Sequence, residues 1–255
     1  MPVNNGAGRR ALLGAVCAAI LLGGCADPQS PGGRRPEGKG GTVSPSPASP
    51  APGASLPRPA EIPALGPATR ARIEPTTEQA LVVMGDGRDS DRSTAVLYER
   101  DPVRGWQAVS TPWPAHNALR GWTDHHRAGD LRSPIGVFGL RDAGGRLPDP
   151  GTRLPYDRTE EFNMPGTGFL GEPLEGSFDH VIAIDYNRTP GTTPLDKTRP
   201  LGLDKGGGVW VHVDHGGPTR ACISLPRERM RQLLQALDPD KNPVIVMGDT
   251  VALAR

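Results

Sequence analysis

Residues 206–226 read GGGVWVHVDHGGPTRACISLP, and the rest of the chain is best interpreted from them. Val209 to Val213 is a short β-branched and aromatic run of the kind that forms a strand. Period-two alternation puts Trp210 and His212 on one face of that strand and Val211 and Val213 on the other. The Asp-His-Gly-Gly-Pro segment that follows is turn chemistry, so the chain is expected to reverse there. Ten positions after His212 it presents Cys222. A cysteine becomes a nucleophile when a nearby base takes its proton, and a histidine fixed on a strand is such a base. Beyond the thiol, Met230, Leu233, Leu234 and Leu237 recur at i, i+3, i+4 and i+7. That spacing predicts an amphipathic helix over 226–237 with Pro226 at its start.

Upstream of this stretch the signals are those of strands. Residues 79–84 and 94–98 are apolar runs separated by a polar turn, and 105–109, 133–140, 179–186, 208–213 and 242–247 repeat the pattern. Residues 141–178 are dense in Gly and Pro and read as one long loop, which is functional when ordered. Many strands, one convincing helix and Gly/Pro turns predict a mainly β domain, a sandwich or a barrel-like sheet.

The N-terminal quarter has a different composition. Arg9 and Arg10 precede sixteen uncharged residues, 11–26, too few for the roughly 20 that a membrane-spanning helix needs. A basic start, a short apolar stretch and small residues after it make an export signal over 1–24. From residue 26 to 60 the chain holds nine Pro, six Gly and five Ser and no aromatic residue. Such a segment buries too little apolar surface to offset its conformational entropy, so 25–75 is expected to be a disordered tether ahead of a folded domain at 76–255. The whole chain carries 29 Lys+Arg against 28 Asp+Glu, which argues against a nucleic-acid binder. Its three cysteines are Cys17 in the apolar stretch, Cys25 at its end and Cys222, so the folded part owns one thiol and no internal disulfide.

Two resemblances follow from these residues. Leu22-Gly-Gly-Cys25 resembles a bacterial lipobox, which implies lipidation of Cys25 and a membrane anchor on the outer face of the cell membrane, facing the wall. His212, Pro218, Thr219, Cys222, Ile223, Ser224, Leu225 and Pro226 resemble the signature of the L,D-transpeptidase catalytic-domain family, in its actinobacterial form. Ser133-Pro-Ile-Gly-Val-Phe138 is similar to an upstream element of that family, and the likeness spans roughly residues 78–253. Ala221 stands where the family usually has Gly, and Arg220 where many members have a second His. The resemblance implies a β-sandwich or barrel-like catalytic fold and a Cys222 thioester, with His212 as its acid and base. It implies peptidoglycan stem peptides as donor and acceptor, β-lactams of the carbapenem type as inhibitors, and no metal or organic cofactor. Thr219, Arg220, Ala221, His215 and Tyr186 are the further candidates for holding substrate or the oxyanion, the last through backbone N–H groups near 221–222.

Three other readings compete. A hydrolase with the same Cys–His pair passes the acyl group to water, a wall-binding module keeps the fold without chemistry, and zinc on His212, His215 and Cys222 or Asp214 is a third use of these ligands. Among the remaining histidines, His125 and His126 are expected on the surface, His116 and His180 in structural roles. Tyr156 and Tyr186 border the loop and strand that flank the site.

Overall fold

The structure is a computed structural model that describes residues 60–255. The export signal, Cys25 and the tether as far as residue 59 lie outside the described residues. In chain order the elements are α1 (Pro67–Arg70), β1 (Gln79–Gly85), β2 (Arg92–Asp101), β3 (Gly105–Ala108), β4 (Trp113–His116), β5 (Trp122–Thr123), β6 (Ser133–Pro134), β7 (Gly136–Gly139), β8 (Ala143–Gly145), β9 (Tyr156–Arg158), β10 (Val181–Ala183), β11 (Trp210–Val213), β12 (Ile223–Leu225), α2 (Arg227–Ala236), β13 (Val244–Asp249) and α3 (Thr250–Leu253).

The domain is mainly β, with eleven strands gathered into one mixed sheet in the order β7-β13-β1-β2-β4-β12-β11-β10-β8-β9, β3 added on β2, and β5 and β6 forming a separate two-stranded sheet. It is not a sandwich of two stacked sheets. Strand twist, accumulated over so many neighbours, curls the single sheet into a half-barrel. The curl brings the end of β7 to the segment after β10, where the Asp185 N–H donates to Gly139 O at 3.0 Å and Phe138 meets Tyr186 edge-on.

The middle of the sheet is buried on both faces. Leu81 and Val83 of β1, with Ile245 and Met247 of β13, face the inner core, together with Val211, Ile223 and Leu225. Ala80, Val82 and Val246 face the other way, against Ile62, Leu65, Ile73, Trp106 and Leu253. A strand covered on both sides reads as a continuous apolar run, as 79–84 does. Helix α2 closes the inner core with Met230, Leu233 and Leu234, all without exposed surface, as the helical spacing predicts.

Three expectations change. The folded unit does not wait until residue 76: Ile62, Leu65 and Ile73 are buried under β1, and Gly66 N–H donates to Leu253 O at 2.8 Å. Three apolar anchors among prolines are too sparse to register in a composition count. Residues 141–178 are not all loop, because β8 pairs with β10 and β9. Strand β8 is Ala-Gly-Gly, residues without strand propensity that gain their place from burial. The 133–140 strand is two pieces, β6 beside β5 and β7 beside β13.

Between β10 and β11 a long irregular segment is held by buried polar groups. Asn187, at φ 46°, donates its amide to Gly202 O and Gly206 O. Arg188, with 5% of its side chain exposed, donates to Asp142 at 2.7 Å, Asp185 at 2.6 Å and Thr192 O at 2.7 Å. Removing one partner from such a buried cluster leaves uncompensated charge. Arg188→Met is therefore expected to destabilise the domain by about 3–5 kcal/mol, read as a lower urea midpoint with an unchanged slope. A loss below about 1 kcal/mol contradicts this account of the segment.

Candidate active site

Strands β11 and β12 are parallel, with Val211 opposite Ile223, His212 opposite Ser224 and Val213 opposite Leu225. The expected reversal at Gly-Gly-Pro is therefore corrected. The chain leaves the end of β11, crosses over and re-enters the sheet in the same direction. The crossing is short because it pairs on the way: Thr219 N–H donates to Asn117 O, and Leu119 N–H donates to Thr219 O, both at 3.0 Å. Gly216, at φ 86°, supplies the left-handed turn. The outcome is that Cys222 stands at the start of β12 beside Trp210, one step along the same face from His212.

His212 is withdrawn from water, while Cys222 is half-buried on the cavity wall. His212 is 3% exposed, with Phe178 edge-on at 5.4 Å on one side and His215 stacked at 5.8 Å on the other. Its Nδ1–H donates to Val213 O at 2.9 Å, which leaves Nε2 as the lone-pair nitrogen. Burial pushes its pKa down to about 4, so the ring is a neutral base at ordinary pH. Burial also pushes the Cys222 thiol up to about 11, against a single N–H from Trp210 at 3.4 Å. The S–H donates to Gly208 O at 3.7 Å, near the end of the segment between β10 and β11. With the thiol raised and the imidazole lowered, both groups are neutral at ordinary pH, and Cys222 and His212 line the same cavity.

The turn before Cys222 is fixed from three sides. Thr219 donates its hydroxyl to Cys222 O at 2.6 Å, and Ser133 donates to Ala221 O at 2.8 Å. The sequence placed Ser133 only in a family-like element; here it holds the nucleophile's backbone. Ala221 needs no left-handed backbone and packs against the inner core, so a methyl group is tolerated where Gly is usual. The N–H groups of Arg220, Ala221 and Cys222 donate to no acceptor among the described residues.

The other candidates separate. Asp214 accepts from His116 at 2.9 Å and Ser224 at 2.8 Å; burial opposes its charge, but these bonds hold its pKa down to about 2. The same bond to Asp214 raises His116 above its ordinary value. The zinc reading loses its convergence, since Asp214 turns to His116 and His215 to Glu172, and no three such ligands cluster among the described residues. Tyr186 is not in the cleft; it donates to Lys205 O at 2.9 Å and packs on His126. His126 is buried there rather than on the surface, and His180 is tied to Tyr156 at 2.9 Å.

His212, His215, Thr219, Arg220 and Cys222 line one cavity of about 300 Å³, whose outer wall is the loop from Met164 to Phe178. Arg220 is its one permanently charged side chain, 5.6 Å over the Phe169 ring. Glu172, which the sequence reading missed, reaches His215 from that loop at 3.1 Å. A lone carboxylate between Gly171 and Pro173 carries no periodic signal. The cavity brings together a thiol, a neutral imidazole, a second histidine, an arginine and a largely apolar wall. No family model, curated protein or solved structure matches the chain.

His212→Ala is expected to slow acylation of Cys222 by roughly two to four orders of magnitude, and His215→Ala several-fold at most. The rate in the wild type rises as pH climbs through the His212 value of about 4 and stays level until the thiol itself ionises near 11. Stopped-flow acylation across pH checks both. A bell centred on neutral pH, or the two mutants in reverse order, contradicts the assignment.

Proposed function

We propose that the chain is an exported, lipid-anchored peptidoglycan L,D-transpeptidase, working through a Cys222 thioester at the outer face of the cell membrane, with the curled sheet as its catalytic fold. The observation that carries the reading is the placement of Cys222 and a neutral, Nε2-free His212 on adjacent parallel strands of one largely apolar cleft.

In this reading Sγ of Cys222 attacks the carbonyl that joins the third-position diamino acid of a stem peptide to the following D-alanine. His212 Nε2 takes the thiol proton as the C–S bond forms and returns it to the departing D-alanine nitrogen. The tetrahedral oxygen is met by the free N–H groups of residues 220–222. An amine of a second stem then attacks the thioester carbon, the C–S bond breaks, and a cross-link remains. Concerted transfer suits the electrostatics, because burial disfavours charge on both the thiol and the imidazole. The apolar wall around Phe169, Leu174 and Phe178 limits water at the thioester and so favours transfer over hydrolysis.

Incubation with a carbapenem followed by intact-mass analysis and peptide mapping tests this reading. One covalent adduct is expected, on Cys222, and its loss in Cys222→Ser. Folded protein that stays unmodified after prolonged incubation contradicts the proposal.

A further inference from the structure

We propose that His215, held by Glu172, is a second acid–base group of the same cleft and deprotonates the amine that resolves the acyl-enzyme. The inference rests on the acyl-transfer reading above and adds a division of labour between two histidines.

The pair is built into the structure. Gly168 N–H donates to Glu172 O and Gly171 N–H to Gly168 O, so residues 168–172 form a tight turn. Inside that turn Leu170 N–H donates to one carboxylate oxygen at 2.7 Å, and the other oxygen accepts from His215 Nδ1 at 3.1 Å. The imidazole is 5% exposed and the carboxylate 12%. A Cβ on Gly168 would lie 2.0 Å from that second oxygen, and a Cβ on Gly217 would lie 2.1 Å from it. The carboxylate thus passes between two glycines, one on each side of the cleft, and any side chain at either would push it off His215. Partial burial raises the carboxyl, yet the backbone N–H groups and His215 hold it below its ordinary value, so Glu172 is a carboxylate.

With Nδ1 committed to Glu172, Nε2 is the nitrogen of His215 left for chemistry. His212 has the same arrangement, with Nδ1 on Val213 O and Nε2 free, and the two rings lie parallel at 5.8 Å, 11° apart in plane. The two differ in what backs them. Val213 O is neutral and buried at the end of β11. Glu172 is charged and sits on the outer loop, the same loop whose Phe169 ring lies under Arg220.

Proton traffic explains why two bases are useful. In the first half-reaction the proton leaves Sγ and ends on the departing amine, close to His212. In the second, the incoming amine approaches the thioester from the side of that loop. Its nitrogen bonds to the acyl carbon, the C–S electron pair returns to sulfur, and the amine proton passes to His215 Nε2. Glu172 balances the imidazolium so formed. His215 then passes the proton to the departing sulfur, which restores the thiol and the neutral imidazole without leaving a buried thiolate. His215 is catalytic in this step, and Glu172 is a positioning residue that fixes its tautomer and ring.

The test uses the full chain, a stem tetrapeptide as donor and acceptor, and rapid-quench mass analysis that separates formation of the acyl-enzyme from its aminolysis. His215→Ala is expected to slow aminolysis by about 100-fold, with acyl-enzyme accumulating, while acylation falls several-fold at most. Glu172→Gln, which keeps the shape, is expected to slow aminolysis by about 10-fold. Added imidazole should restore aminolysis in His215→Ala and leave Glu172→Gln unchanged, a result that a merely structural clamp does not give. Aminolysis at the wild-type rate in His215→Ala overturns the inference, as does an equal loss in both half-reactions without imidazole rescue. A wild-type chain that forms no acyl-enzyme from the tetrapeptide overturns the transpeptidase reading itself, and this inference with it.

Discussion

Parallel pairing of β11 with β12 sets Cys222 beside Trp210 and Ser224 beside His212, and the cleft takes its geometry from that register. Residues opposite one another on neighbouring strands share a face, so a slip of one position would turn the thiol into the core and leave the imidazole alone. The crossover that permits the pairing is tied to the 117–119 segment and to Asp214, whose carboxylate gathers His116 and Ser224. The fold therefore protects one register with many small bonds rather than with one strong one.

Burial gives the site its chemical character. Cys222 and His212 are both held in their neutral forms, the thiol by the loss of water around Sγ and the imidazole by burial against Phe178 and His215. In the proposed reaction a neutral pair reacts only when a substrate carbonyl supplies a place for the charge to go, so the thiol would stay protected until a donor arrives. In an oxidising compartment a resting thiolate would be the more vulnerable species. The charged groups keep away from the pair, Arg220 over Phe169 and Glu172 bonded to His215 and the loop backbone.

Much of this was legible in the sequence because it rests on local patterns. The apolar run at 79–84, the i, i+3, i+4, i+7 spacing of α2 and the His212–Cys222 stretch each announce themselves within a few residues. What was not legible depends on distant partners. The direction of β12 follows from Thr219 meeting Ala118, about a hundred positions away, and turn chemistry alone suggested a hairpin. Glu172 finds His215 forty-three positions on, through a gap that only glycines leave open. His126 looked like a surface residue beside His125 and is buried against Tyr186 by the irregular segment before β11. Ile62 and Leu65 were hidden by the proline-rich composition around them.

Ionisation of Cys222 tests the central claim, a neutral thiol–imidazole pair, more directly than any rate. The measurement is the thiolate ultraviolet absorbance of the wild type minus that of Cys222→Ser, followed as a function of pH on the free protein. The account predicts no difference at neutral pH and a thiolate signal that grows only as pH approaches the value of about 11 set by burial. A full thiolate signal already present at neutral pH would contradict it, and would make the resting site an ion pair.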